Sequence, residues 1–308
     1  MDRIAIIGAG LIGHTWAIVV ARAGLRAVLH DSDAAALASA PARIAKALAD
    51  LDAWGLLDEP AEAIAARIST APDLPTAIAG ASIVQEAIAE RREAKEALFA
   101  TLDALAPPEV ILASATSTIP ASSFTEGLAG RSRCIIIHPS TPPHILPLVE
   151  VCPAPWTAPE VVERSLAHVR ALGQTPSLIR KEIPGFVLNR IQAAVVAECF
   201  RLWQDGIASA ADIEATVTGT LGPRWALLGP FEVISLNAPG GLVDYLEKFG
   251  PLFEGINATQ TARPFDMDAV RALDAERLSS GISADVEARR DRRDRLLLAL
   301  AAHRKSTG

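Results

Sequence analysis

The first thirteen residues constrain this chain most. Arg3-Ile-Ala-Ile-Ile7 is a short apolar run, and Gly8-Ala-Gly-Leu-Ile-Gly13 follows it at once. An apolar run of that length reads as a strand buried on both faces, the condition of a strand inside a parallel sheet. G-x-G-x-x-G between such a strand and a helix is the turn that cradles a dinucleotide pyrophosphate. Gly8 permits the tight turn, Gly10 lets a ligand approach the backbone, and Gly13 lets helix and strand pack closely. Leu11 and Ile12 fall in the first helical turn, where free N–H groups and the positive dipole end face the phosphates.

The next elements extend the pattern. Leu11 to Gly24 has helical spacing and ends at a glycine; Ala27–Leu29 then begins a strand that closes on His30 and Asp31. Asp31 lies 18 residues after Gly13. A carboxylate there accepts hydrogen bonds from ribose hydroxyls and repels a 2′-phosphate, so the expected cofactor is NAD rather than NADP. Residues 33–57 are alanine-rich and helical in pattern, with Pro41 expected to break or kink them. SIVQEAI (82–88), VILASAT (110–116) and CIII (134–137) read as strands, and Arg91–Leu105 as a charged amphipathic helix. Strands and helices thus alternate through the first half, which predicts a Rossmann-type, doubly wound, mainly parallel α/β sheet.

After Glu182 no strand alternation is visible. IPGFVLNRIQAAVVAECFRLWQDG (183–206) reads as one long helix, with Pro184 in its first turn and Gly206 at its end. The spacing therefore predicts two domains: residues 1–183 binding the dinucleotide, and 184–308 all-helical. The Arg-rich stretch at 288–295 alternates charge sign and reads as a solvated helix face.

Composition excludes several classes. With 308 residues, half of them hydrophobic, the chain can bury a sizeable core. No apolar run reaches the ~18 residues of a membrane helix, and the first strand begins without a signal peptide. A net charge of −7 argues against a nucleic-acid partner. Cys134, Cys152 and Cys199 are odd in number and lack a CxxC spacing, so they read as reduced thiols of a cytoplasmic protein. No G-x-S-x-G and no clustered metal ligands occur.

His138 ends the CIII strand, and Glu150 stands in a second apolar run, LPLVEV, across a loop rich in proline. Such a loop can return the chain and leave both side chains at one sheet edge. Ligands of open α/β sheets bind at the carboxyl ends of strands. A carboxylate beside an imidazole fixes its tautomer and favours proton uptake, which makes His138 a general base for an alcohol. His144 has no paired feature and reads as a loop residue.

GAGLIG (8–13), QEAIAERREAKEALF (85–99), SATST (114–118), HPSTPPHILPLVEV (138–151) and KEIPGFVLNR (181–190) occur in this order. In them the chain resembles the 3-hydroxyacyl-CoA dehydrogenase family. GPRWALLGPFEVISLNA (222–238) and EARRDRRD (287–294) are similar to its λ-crystallin / L-gulonate 3-dehydrogenase branch. The resemblance implies that His138 is the base and Glu150 its partner, and that Ser117 and Asn189 hydrogen-bond the substrate oxygen. It also implies that Glu90 and Lys95 contact the cofactor's ribose and nicotinamide side, and that the helical domain pairs with its copy in a homodimer. Two residues depart from the family pattern: Thr141 and Ala115 each replace an asparagine.

Oxidation of a 3-hydroxyl by NAD is the expected reaction. Coenzyme A carries phosphates that call for cations, yet residues 38–54 hold only Arg43 and Lys46 against Asp50 and Asp52. A small L-3-hydroxy acid, L-gulonate first, is therefore expected, with Arg224 as the partner of its carboxylate. L-Carnitine, a short 3-hydroxyacyl-CoA such as 3-hydroxybutyryl-CoA, and a crystallin-like structural role that keeps the NAD site are the alternatives.

Overall fold

The computed structural model describes residues 3–307. Its central sheet contains β1 (Arg3–Ile7), β2 (Arg26–His30), β3 (Ile68–Thr70), β4 (Ile83–Glu86), β5 (Ile111–Ser114), β6 (Cys134–Pro139), β7 (Leu148–Pro153) and β8 (Thr175–Leu178). Their order is β3-β2-β1-β4-β5-β6-β7-β8. Strands β1 to β6 pair in parallel, β7 runs antiparallel to β6, and β8 is parallel to β7. The chain leaves β1 toward β2 on one side and returns to β4 on the other, which opens a crevice at the carboxyl end of β1.

Alternation along the strands builds two cores. Ile4, Ile6, Ile83, Ile111, Ile135 and Ile137 pack on one face with the helix α1 (Leu11–Arg22) and the helix α2 (Ala34–Ala53). Ala5, Ile7, Val84, Leu112, Cys134 and Ile136 pack on the other, with Phe99 and Leu102 of the Arg92–Leu105 helix. Each fully buried aliphatic side chain contributes ~1.5–3 kcal/mol, so these paired faces fix the register of the sheet.

Two helices depart from the sequence expectation. α2 runs unbroken through Pro41. Ala40, Ile44, Leu48 and Leu51 form a buried stripe on that helix, and this packing outweighs the local cost of an interior proline. Conversely, the expected helix at 183–206 spans only Leu188–Gln204. Gly185 (φ 75°) and Phe186 (φ 48°) take left-handed backbone conformations, which hold the preceding residues out of the helix. The short strands β3 and β8, unforeseen in the sequence, are partly polar and lack a clear alternation.

By internal packing the chain divides into one unit ending at Arg190 and resumed from Arg290, and a second unit, Ile191–Arg289. This differs from the expected 184–308 domain at its far end. Within the first unit Leu298, on the Val286–Thr307 helix, is buried in the core, and Lys305 pairs with Asp58 at 2.7 Å. The second unit is helical and includes Ala210–Thr216, Pro230–Ser235, Gly241–Thr259 and Met267–Ser279. Trp203 and the Ala210 N–H both donate to the Glu276 carboxylate there. Among the described residues no helix is long and apolar enough to cross a membrane.

Candidate active site

The glycine turn has the form its sequence demands. Gly8 has φ 110°, and a Cβ there would lie 2.4 Å from the Ala87 carbonyl oxygen at the end of β4. A Cβ on Gly13 would lie 1.7 Å from the Gly8 carbonyl oxygen. Neither position admits another residue without moving backbone. Gly10 faces open space, with nothing within 4 Å of its notional Cβ. Leu11 is exposed and Ile12 half-buried beside it. α1 has neither a side-chain cap nor an acidic residue in its first turn, so its amino end keeps a positive potential. Asp31, just beyond β2, accepts from the Ala9 N–H at 2.7 Å and the Asp33 N–H at 2.8 Å. These residues fit an NAD pyrophosphate and adenosine ribose. NAD is the cofactor of this chain.

The carboxyl ends of β4 and β5 carry a second network. Glu86 and Lys95 are essentially sealed from solvent, with side-chain exposures of 0% and 1%. Lys95 Nζ donates to Glu86 Oε1 at 2.8 Å, and the Ile88 N–H donates to the same oxygen at 2.7 Å. Ser114 donates its hydroxyl to Glu86 Oε2. Burial pushes the Glu86 carboxyl up, against the opposing pull of Lys95 and the hydrogen bonds from Lys95 and Ser114. Lys95 is an internal cation that ties Glu86 to Glu90, whose Oε2 is 3.4 Å away.

Glu90 in turn holds the loop after β5. Its Oε1 accepts from Thr116 Oγ1 at 2.6 Å, from the Ser117 and Thr118 N–H groups at 2.9 Å, and from Thr118 Oγ1 at 3.0 Å. Burial raises the Glu90 carboxyl, but these donors and Lys95 outweigh it and hold the group below its ordinary value. On the other side of Ser117, Asn189 Nδ2 donates to its carbonyl at 2.7 Å. Ser117 is therefore clamped through both of its peptide groups, N–H by Glu90 and C=O by Asn189.

His138 and Glu150 are directly opposed across the antiparallel β6–β7 pair. The intervening loop is too short for a parallel crossover, so the chain must reverse. Both side chains project to the face that also carries Cys134, Ile136 and Cys152. His138 Nδ1 lies 2.9 Å from Glu150 Oε2, and both residues are buried. Glu150 Oε1 accepts from the Val187 and Leu188 N–H groups at 2.9 and 2.8 Å. Burial raises the Glu150 carboxyl, but His138 and these two amides outweigh it and keep the group below its ordinary value. An ionised Glu150 requires Nδ1 to carry the proton, which leaves Nε2 of a neutral imidazole as acceptor.

Phe186, Val187 and Leu188 were not foreseen in the sequence. The buried Phe186 ring lies 5.9 Å from the His138 ring, and its left-handed backbone turns the next two amides onto Glu150. The Pro-Gly-Phe sequence before a helix was the available signal. Arg224 lies in the second unit on the short Gly222–Trp225 helix, where its Nε donates to the Thr220 carbonyl. Among the described residues no group of three or more His, Cys, Asp or Glu side chains is placed to hold a metal.

A dinucleotide turn at the switch point of a doubly wound sheet, with an oriented imidazole at the end of β6, defines an NAD-dependent oxidoreductase acting on CH–OH groups. The chain belongs to the 3-hydroxyacyl-CoA dehydrogenase family. The family's NAD-binding domain matches residues 3–183 and its C-terminal domain residues 185–265. A λ-crystallin homologue of Bos taurus is 38% identical over 310 residues, covering 97% of this chain and 94% of its own. An L-carnitine dehydrogenase of Streptomyces griseus is 32% identical over 294 residues, covering 94% and 87%. The crystal structure of 5-formyl-3-hydroxy-2-methylpyridine 4-carboxylic acid 5-dehydrogenase, described as an NAD+-dependent dismutase, superimposes with a TM-score of 0.83. It is 27% identical, with 97% of each chain covered.

Proposed function

We propose that this protein oxidises the 3-hydroxyl of a small, free L-3-hydroxy acid to the 3-keto acid, with L-gulonate as the first candidate substrate. The observation that carries this is the orientation of His138 by Glu150, itself held by the Val187 and Leu188 amides. NAD, when bound, supplies the acceptor for the hydride that leaves the carbinol carbon. His138 Nε2 takes the hydroxyl proton as that C–H bond breaks, and the charge that forms on the ring is stabilised by Glu150. Ser117, fixed at both peptide groups, offers its hydroxyl to the substrate oxygen. Asn189 uses one amide N–H on Ser117 and keeps its second for the substrate. Glu90 acts through Ser117, and Gly8, Gly10, Leu11, Ile12, Gly13 and Asp31 hold the dinucleotide. Arg224 is the proposed partner of the substrate carboxylate.

Three features favour a free acid over a CoA thioester. α2 has few cations for CoA phosphates; the superimposing dehydrogenase acts on a pyridine carboxylic acid; and a carnitine dehydrogenase aligns over most of the chain. We also assign the helical unit to a homodimer contact, in a cytoplasmic enzyme with unpaired cysteines. Leu227 and Phe231 are 73% and 72% exposed, so they do not line that unit's own core. The test is NADH formation with L-gulonate, L-carnitine, 3-hydroxybutyrate and 3-hydroxybutyryl-CoA. Turnover of a free acid supports the proposal. Turnover of the thioester alone overturns the substrate class, and turnover of none favours a crystallin-like NAD-binding role.

A further inference from the structure

The Ala9 peptide, in the middle of the glycine turn, is gripped at both ends. Its N–H donates to Asp31 Oδ2 at 2.7 Å, and its carbonyl accepts from Arg43 Nη2 at 2.8 Å. Arg43 lies on α2, and the same nitrogen also donates to the Ala36 carbonyl at 3.0 Å.

His14, in the first turns of α1, decides the state of the other guanidinium nitrogens. Its Nδ1 is 2.7 Å from the Gly10 carbonyl oxygen and 3.4 Å from Arg43 Nη1. One ring nitrogen cannot donate to the first and accept from the second. The shorter contact prevails, so Nδ1–H donates to Gly10. Burial holds His14 below its ordinary value; the Gly10 bond works against that and the Arg43 charge works with it. His14 is thus a neutral donor, and Arg43 Nη1 gains no acceptor from it. The buried Nε of Arg43 has no partner either. The partners of this guanidinium are backbone carbonyls, not a carboxylate, so a half-buried cation without a countercharge stands beside the turn. A cation in that condition is stabilised by an anion brought to it.

We infer that Arg43 is a cofactor-binding residue: it fixes the Ala9 carbonyl and supplies positive charge to the dinucleotide's pyrophosphate, while Asp31 serves the ribose. The inference concerns the cofactor alone and stands or falls independently of the substrate proposed above.

The test uses the full chain and calorimetric titration with ADP-ribose, which carries the pyrophosphate without the nicotinamide, and with adenosine, which carries no phosphate. Wild type, Arg43→Lys and Arg43→Gln are compared at low and high NaCl, after thermal melts establish that each variant is folded. Arg43→Gln is expected to weaken ADP-ribose about tenfold at low salt, the order of one lost charge-assisted hydrogen bond. The gap narrows at high salt as the pyrophosphate charge is screened. Arg43→Lys keeps the charge and stays within about threefold of wild type, and adenosine binds all three alike. ADP-ribose affinity unchanged in Arg43→Gln overturns the inference. So does an equal loss of adenosine affinity, or a loss in Lys and Gln variants alike that salt does not alter, since each marks a packing residue. Should Arg43→Gln fail to fold, Arg43→Met takes its place, with the same loss of ADP-ribose affinity expected and unchanged affinity again overturning the inference.

Discussion

Glu150→Gln separates the orientation of the imidazole from its presence. In the wild type one carboxylate oxygen faces His138 Nδ1 and the other faces two backbone N–H groups. A glutamine amide has one acceptor and one donor end. Placing the NH2 against the Val187 and Leu188 amides would oppose donors to donors, so the amide oxygen stays there and the NH2 turns to His138. Nδ1 must then accept, and the ring proton moves to Nε2, the atom required to take the substrate proton. Loss of a positioned general base costs ~10²–10⁴-fold in rate. The two backbone bonds also change from a charged to a neutral acceptor, at about 1 kcal/mol each, so the folded state loses ~2 kcal/mol. NADH formation, NAD titration and urea denaturation measure the three quantities: the rate should collapse, NAD affinity should hold, and stability should fall modestly. A rate within about threefold of wild type would refute the assigned tautomer and with it the mechanism. The pH dependence follows from the depressed Glu150 carboxyl. A lowered folded pKa means its stabilisation is complete above the ordinary value of 4.5 and is lost as pH falls below it. The stability gap between wild type and Glu150→Gln should therefore close on acidification below that point.

Other changes test other parts of the fold. Asp31→Ala removes the acceptor for both the ribose and the Ala9 amide; NAD should weaken and discrimination against NADP should shrink, measured as the ratio of the two dissociation constants. His168, 3% exposed, is pushed down to about 4 by burial. The unfolded chain binds that proton nearer the ordinary 6.5, so stability should drop on acidification from 6.5 toward 4. On the order of 3 kcal/mol of that slope should vanish in His168→Leu, read from denaturation midpoints across the interval.

What the sequence disclosed depended on how local the cause was. The Gly8–Gly13 turn was legible because its steric demands lie within one βα unit, and the backbone contacts at Gly8 and Gly13 bear this out. His138 and Glu150 could be paired because eight intervening loop residues force a reversal, although their direct cross-strand register appears only in the sheet. The burial of Lys95 was not read from the sequence. Lys95 stands four residues before Phe99 and seven before Leu102, on the buried stripe of its helix, and that spacing was the overlooked signal. The clamp on Ser117 joins Glu90 to residues 26 to 28 positions later, a long-range contact with no periodic trace. The return of Leu298 to the first core was equally hidden, since an Arg-rich helix start masks a short apolar patch.

The decisive measurement is the rate of hydride transfer in His138→Ala, followed as NADH appears after mixing NAD-loaded enzyme with the accepted substrate. The account predicts a fall of ~10²–10⁴-fold, partial recovery on adding free imidazole, and NAD affinity within about twofold of wild type. Unimpaired hydride transfer, or a loss of NAD affinity as large as the loss of rate, would contradict it.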